Sequence, residues 1–238
     1  MHVVAPLAPG AELALPEEAA RHVQVRRLQP GDAVCLFDGR GGEWQCEILG
    51  MGKRDVNVRV IAHDPIERGP GVELEIAFGM PTNERMDALI EKATELGASA
   101  LHPLVTSRSV LRLEGERAAK RVAHWQAVAI ASSEQSGRTR VPIVSPVRTL
   151  DAWLQDAGSN GAAKVVLAPA AMADLTDHVR GGVARWIALS GPEGGLDATE
   201  IAGAIEAGYR PVSLGPLVLR ADTAPLAWLA QVRVLLES

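Results

Sequence analysis

Aromatic side chains are scarce in this 238-residue sequence: one Tyr, two Phe and five Trp, 3% of the chain. A surface of stacked rings gripping single-stranded nucleic acid is therefore not its main device. Cysteine is scarcer still, with only Cys35 and Cys46 and no Cys-x-x-Cys pair. That spacing argues against a zinc site or a disulfide framework and for two reduced, half-buried strand residues. His22, His63, His102, His124 and His178 show no metal-ligand spacing either, so no metal is expected. No run of about 18 apolar residues occurs, and Met1 is not followed by a basic and then apolar leader, so a soluble cytoplasmic protein is expected. With 47% hydrophobic residues and a formal charge of −5, the composition lacks the marks of a disordered chain. A basic excess is missing too: 24 Lys and Arg stand against 29 Asp and Glu. This total excludes a uniformly basic nucleic-acid binder but says nothing about a local patch. At about 100–200 residues per domain, the length allows one or two domains.

The texture changes once along the chain. Residues 1–62 read as β-rich: Ala33–Phe37 and Glu43–Leu49 flank the turn-forming Asp38-Gly39-Arg40-Gly41-Gly42, and Val56, Val58 and Val60 alternate onto one face. Short strands with turns between them predict a small barrel or sandwich. Residues 62–71 hold two prolines, two glycines and mixed charge, the best linker candidate. Beyond them strands alternate with helices. Leu74–Phe78, Ala100–Val105, Lys164–Ala168, Trp186–Ser190 and Val212–Leu214 read as strands. The spacing of Met86, Leu89, Ile90, Ala93 and Leu96 predicts a helix ending at Gly97, and a second helix is expected over Glu116–Ser133. Asp197-Ala198-Thr199-Glu200 has the form of a capping box opening a third helix, and an apolar helix runs from Thr223 to the end. Leu226, Trp228, Leu229, Val232, Leu235 and Leu236 of that last helix fit burial against its own sheet or against a partner. Trp125, Trp153, Trp186 and Trp228 are expected in the core. The alternation predicts an α/β domain with a mainly parallel sheet.

In open α/β sheets ligands bind beyond the carboxyl ends of strands. Two loops stand there: Ser190-Gly191-Pro192-Glu193-Gly194-Gly195, leading into a helix N-terminus, and Gly215-Pro216. Glycine lets backbone approach a ligand or another segment closely. The first loop lacks the Gly-Lys-Ser/Thr of a phosphate-binding loop, no Gly-x-Gly-x-x-Gly follows an early strand, and Gly-x-Ser-x-Gly is absent. On composition alone a tight turn is the better reading of it. The segment Met80-Pro81-Thr82-Asn83-Glu84-Arg85-Met86 is a further strand-to-helix loop.

These loops belong to a longer pattern. Leu189-Ser190-Gly191-Pro192-Glu193-Gly194-Gly195-Leu196, then Glu200-Ile201, Gly208-Tyr209, Leu214-Gly215-Pro216 and Leu219-Arg220-Ala221-Asp222-Thr223-Ala224 resemble the C-terminal signature of the RsmE family. Lys92–Gly97, Pro103-Leu104, Arg108-Ser109, Trp125-Gln126, Glu134-Gln135-Ser136-Gly137-Arg138, Val141-Pro142, Gly31-Asp32 and Phe37-Asp38-Gly39 follow in family order, so the resemblance covers nearly the whole chain. The family consists of SPOUT-class methyltransferases that methylate N3 of a uridine in small-subunit (16S) ribosomal RNA. The resemblance implies a PUA-like β-barrel RNA-binding domain at 1–68, a trefoil-knotted SPOUT domain at 72–238, S-adenosylmethionine as donor, and a homodimer with the donor site near the subunit interface. A knot departs from the rule of unthreaded connections. Carried over, the donor contacts are Leu189, Ser190, Gly191, Pro192, Glu193, Gly194, Gly195, Leu214, Gly215, Val218, Leu219 and Arg220. Four departures stand out: Leu217 replaces a common Arg, Asp222 a usual Glu and Arg26 a common Leu, and His2-Val3 lacks the family's basic-aromatic opening.

Uracil N3 is protonated near neutral pH, so its methylation needs proton removal or stabilisation of the anion that results. Arg138 and Arg220 are the expected cations for uracil or phosphate charge, with Glu134 or Glu193 as orienting acceptor or base. Two other readings stand beside this one. An RNA-binding module without catalysis leaves the glycine loops unexplained, and a SPOUT enzyme acting on transfer RNA shares the knot but not the target. Charge mapping sharpens the RNA face. Residues 106–148 hold eight Lys and Arg against three Asp and Glu, while every other stretch is net acidic. Attraction to phosphate is local because screening acts over about 8 Å. Arg26, Arg27, Arg108, Arg117, Lys120, Arg121 and Arg138 are therefore the expected RNA contacts, and ribosomal RNA or the small subunit is the expected partner.

Overall fold

In the computed structural model, residues 1–156, 161–179 and 182–237 are described. Contacts divide the chain into two units, Met1–Gly69 with Ser133–Val141, and Pro70–Ser132 with Pro142–Ser238. The first holds β1 (Glu12–Ala14), α1 (Glu17–Val25), β2 (Ala33–Leu36), β3 (Glu43–Met51) and β4 (Val56–Asp64) in an antiparallel sheet of order β1-β4-β3-β2. The alternation in β4 works as read: Val56, Val58 and Val60 are buried and Asn57, Arg59 and Ile61 exposed. Those valines pack with Ile48, Cys46 and the Ala19, Ala20 and Val23 face of α1. Cys35 is exposed and Cys46 buried, on opposite faces of neighbouring strands, and both are free thiols. The N-terminus lies along β2, with Val3 N–H donating to Phe37 O and Phe37 N–H to Met1 O, each at 3.0 Å.

Three features of this unit differ from the sequence reading. Helix α1 was not expected, although Pro16 before it and Glu17 and Glu18 in its first turn are start signals. Its buried face is made largely of alanines, which give hydrophobic periodicity little contrast. Strand β4 runs to Asp64, into the segment read as linker. Residues 133–141 return to this unit. Gly41 N–H donates to Thr139 O at 3.2 Å, Val141 N–H to Gly39 O at 3.1 Å, and Arg140 pairs with Glu67 at 3.0 Å. A contiguous division into 1–68 and 72–238 leaves this return out, because backbone pairing has no compositional signature.

The second unit alternates as expected: β5 (Glu73–Gly79), α2 (Asn83–Glu95), β6 (Ala100–Val105), α3 (Gly115–Ser136, its last turn counted with the first unit), β7 (Ile143–Val144), β8 (Arg148–Thr149), α4 (Leu150–Asp156), β9 (Ala163–Leu167), β10 (Arg185–Ser190), α5 (Ala198–Glu206), β11 (Arg210–Val212) and α6 (Thr223–Glu237). The sheet order is β11-β9-β10-β5-β6-β7, with β8 also on β6, and every pairing is parallel. Parallel strands are covered on both faces, so β5 reads as an apolar run, with Leu74 to Gly79 all buried. Trp125, Trp186 and Trp228 are fully buried, and Trp153 is half-buried. In α6, Trp228, Leu229 and Val232 are buried within the unit, Leu226, Leu235 and Leu236 are half-buried, and Val234 is exposed. Strand β11 lies two residues earlier than expected because Ser213 bonds Gly215 through its hydroxyl and ends the extended run. No helix among the described residues is long and apolar enough to cross a membrane.

A charged cluster is buried at the amino ends of these strands. Glu75 meets His102 Nε2 at 2.9 Å and Arg185 Nε at 2.6 Å, and His102 Nδ1 meets Ser145 Oγ at 2.9 Å. Burial pushes the Glu75 carboxyl up, but the hydrogen bonds and charges of His102 and Arg185 outweigh it and hold the group below its ordinary value. The glycine loops leave from the other end of the sheet.

Candidate active site

Beyond the carboxyl ends of β9, β10 and β11 lies a cavity of about 440 Å³, within the usual range for a small-molecule site. Its walls are residues 167–170 after β9, 190–193 and 195–196 after β10, and 212–215 and 217–221 after β11, with Arg85 from the first turn of α2. Since β10 is followed in the sheet by β9 on one side and β5 on the other, this is where connections diverge and a crevice opens.

Glycine is required here at identifiable points. A Cβ on Gly191 would stand 2.6 Å from Leu196 N and 2.8 Å from Gly195 C, so the loop after β10 folds back on itself only without a side chain. A Cβ on Gly79 would stand 2.5 Å from Pro192 Cδ and 2.7 Å from Pro192 N, so the end of β5 passes directly under the same loop. Hydrogen bonds then fix the loop. Asp197 and Glu200 form the capping box, with Glu200 N–H donating to Asp197 Oδ1 at 2.8 Å and Asp197 N–H to Glu200 Oε2 at 2.9 Å. The bond from Glu200 N–H, first among several, holds the Asp197 carboxyl below its ordinary value. The other oxygen of Glu200 accepts Ser107 N–H at 2.7 Å, and Arg108 Nη1 donates to Gly194 O at 2.8 Å. Glu193 Oε1 accepts Thr82 N–H at 2.9 Å, tying the loop to the start of α2.

Ten of the residues expected to hold a donor line the cavity: Ser190, Gly191, Pro192, Glu193, Gly195, Leu214, Gly215, Val218, Leu219 and Arg220. Leu189 does not. It is fully buried in the core beneath, with Ala77, Val166 and Ala204. Gly194 turns to Arg108, whose Cβ would be 3.1 Å from an added Cβ. The reading missed the wall at 167–170, where Leu167-Ala168-Pro169-Ala170 carries neither glycine nor charge and gives no signal. Arg85, in the strand-to-helix loop 80–86, carries no sequence mark that separates it from other surface arginines. Arg85 Nη1 donates to Asp222 Oδ1 at 3.1 Å, so Asp222 has a structural partner at the rim.

Arg138 and Glu134 belong to the first unit, and Arg220 to the second. Arg138 is buried, Glu134 is exposed and accepts the His2 N–H, and Arg220 is exposed at the cavity. Much of the basic segment is engaged internally: Arg148 pairs with Asp156 at 2.5 Å, Arg140 with Glu67, and Arg112 Nη2 donates to Ser107 O at 3.1 Å. Arg117 and Lys120 stay exposed on α3 and Arg121 half-exposed, Lys120 with an i,i+4 partner in Glu116 at 2.8 Å. Arg26 and Arg27 are exposed at the end of α1, Arg27 with φ +57°. Among the described residues, no group of three or more His, Cys, Asp or Glu is placed to hold a metal ion.

The cavity fits an adenosine-bearing donor. Gly195 and Gly215 have φ of +68° and +121°, and an added Cβ on either meets nothing within 4 Å, so both leave open space where they line the cavity. Largely apolar walls with nearby backbone amides and carbonyls suit an adenine ring and ribose.

Comparison with known proteins points the same way. Residues 68–233 match the model of an RNA methyltransferase domain and residues 15–61 that of an RNA methyltransferase PUA domain. The chain is 33% identical over 224 residues to ribosomal RNA small subunit methyltransferase E of Mycobacterium tuberculosis, covering 92% of this chain and 84% of that protein. It superposes on the crystal structure of the Neisseria gonorrhoeae protein of the same name bound to S-adenosylmethionine, with TM-score 0.91, 30% identity, and coverage of 99% of this chain and 96% of that one. A Legionella pneumophila protein in complex with bound S-adenosylmethionine gives TM-score 0.89 at 30% identity, covering 98% of this chain and 96% of that one.

Proposed function

The chain belongs to the ribosomal RNA small subunit methyltransferase E family, and from that premise we propose that it methylates N3 of one uridine in 16S ribosomal RNA with S-adenosylmethionine as donor. The observation that carries this reading is the cavity at the ends of β9, β10 and β11, where ten of the expected donor residues converge. When bound, the donor supplies a sulfonium methyl group: the N3 electron pair forms the new C–N bond, the C–S pair returns to sulfur, and the N3 proton goes to water.

The chain's own residues do the rest by position. Gly191 and Gly195 shape the turn that receives the donor, while Glu193, fixed on Thr82, holds that turn against α2. Alignment of this kind lowers the barrier because the reacting atoms meet without a further search. Arg220 at the cavity mouth is assigned to the charge of incoming RNA, with Arg138 and Glu134 as further contacts to the substrate. Arg26, Arg27, Arg108, Arg117, Lys120 and Arg121 extend that contact. The trefoil knot belongs to the same reading, since the family's fold carries it. The exposed Leu217 and Val218 on the cavity wall support a homodimer closed over the donor site. A ribosomal RNA substrate supports a cytoplasmic location.

Mass mapping of nucleosides in small-subunit and transfer RNA, after incubation with the protein and S-adenosylmethionine, is the test. A single N3-methyluridine in small-subunit RNA is expected. Methylation confined to transfer RNA would support the other SPOUT reading, and absence of donor binding in calorimetry would leave only an RNA-binding module.

A further inference from the structure

Among the described residues, three charged side chains line the cavity: Arg85, Glu193 and Arg220. Glu193 is taken up by Thr82, and Arg220 is exposed at the mouth. Arg85 is different. It stands in the first turn of α2, the end of a helix where a cation is disfavoured by the dipole, so helix stability does not explain it. Asp222, just before α6, meets it at 3.1 Å, with the two side chains 31% and 27% exposed. A guanidinium carries five N–H groups, and Arg85 Nε and Nη2 have no partner among the described residues. The pair therefore presents a fixed, half-buried cation with free donors to the cavity.

We propose that Arg85 stabilises the negative charge left on the uracil when N3 loses its proton to water, and that Asp222 positions it. This rests on the reading of the chain as a uridine-N3 methyltransferase and names the group that reading requires. The charge spreads from N3 onto its two flanking carbonyls, and the guanidinium N–H groups can donate to one of those carbonyl oxygens, which leaves the N3 electron pair free to form the bond to the methyl carbon. The base is a better partner than the donor. The loops after β9, β10 and β11 form the other walls, and Arg85 comes from outside them. A guanidinium also repels a sulfonium. Of the two cations lining the cavity among the described residues, Arg85 is the half-buried one, paired with Asp222, whereas Arg220 is exposed.

Arg85→Ala, Arg85→Lys and Asp222→Asn in the full chain test this against the wild type. Donor affinity measured by calorimetry is expected to stay unchanged, which also reports folding. At saturating small-subunit RNA, kcat of Arg85→Ala is expected to fall about 10²-fold near neutral pH, as when one donor to a developing anion is removed. The deficit should narrow as pH rises, because N3 then loses its proton without help. Arg85→Lys should recover part of the rate, and Asp222→Asn should show a smaller loss with the same pH dependence. A deficit constant across pH, an unchanged kcat, or weakened donor binding with kcat intact would overturn the proposal, the last by assigning Arg85 to the donor carboxylate. A wild type that leaves uridine unmethylated would defeat the underlying reading, whereas a variant judged against an active wild type tests Arg85 alone.

Discussion

Glu75, near the amino end of β5, stands between His102 of β6 and Arg185 of β10. In the sequence it is one acidic letter in an apolar strand, whereas in the structure it is 5% exposed and held by His102 and Arg185. Glu75→Ala takes the carboxylate from the buried His102, which keeps only Ser145, and leaves the partly exposed Arg185 with Glu73 at 3.8 Å, so it should cost about 1–3 kcal/mol in chemical denaturation at neutral pH. The sign of its pH dependence follows from the lowered carboxyl. A group depressed in the folded state stabilises above its ordinary value of 4.5 and loses that contribution as pH falls through its folded value. The wild type should therefore lose stability below about pH 4.5 more steeply than Glu75→Ala, and parallel curves in the two proteins would refute this role. His102 was legible only as a histidine without ligand spacing. Its partners lie on other strands, which no local pattern announces.

At the scale of elements, α5 was readable because its start signal is local. Asp197 and Glu200 are three residues apart and satisfy each other's backbone N–H groups. Asp197→Ala should lower stability, seen as a drop in the denaturation midpoint, because Glu200 N–H loses its cap. Glu200 does more than cap, since its second oxygen holds Ser107, and only the fold discloses that bond. Short elements such as α4, β7 and β8 escaped the sequence reading, because two to seven residues carry too little periodicity. Gly79 shows the same limit. It is an ordinary strand end in the sequence, but the fold runs Pro192 across it. Gly79→Ala forces the loop after β10 to move, at about 1–3 kcal/mol for such overpacking. Calorimetry should register weaker binding of S-adenosylmethionine, and unchanged binding would show that the loop yields without disturbing the cavity.

For the whole molecule the net charge of −5 misleads, since residues 106–148 are basic. The structure narrows that patch by engaging Arg112, Arg140 and Arg148 internally, leaving Arg117, Lys120 and Arg121 on α3. Neutralising these three together should weaken RNA binding and flatten its salt dependence, because each phosphate contact contributes about one unit of slope. Leu217 and Val218, 75% and 80% exposed, carry the dimer proposal. Leu217→Asp with Val218→Asp is expected to shift sedimentation from dimer to monomer; an unchanged species would place the interface elsewhere. The sequence by itself determined the α/β alternation, the helix capped by Asp197, the two glycine loops and the family they resemble, because those signals are local or ordered along the chain. Tertiary structure alone decided the wall at 167–170, the return of 133–141 to the first unit, the burial of Arg138 and the pairing of Arg85 with Asp222. Each of these depends on segments far apart in the chain being held together by backbone pairing and packing, which leave no mark on either segment alone.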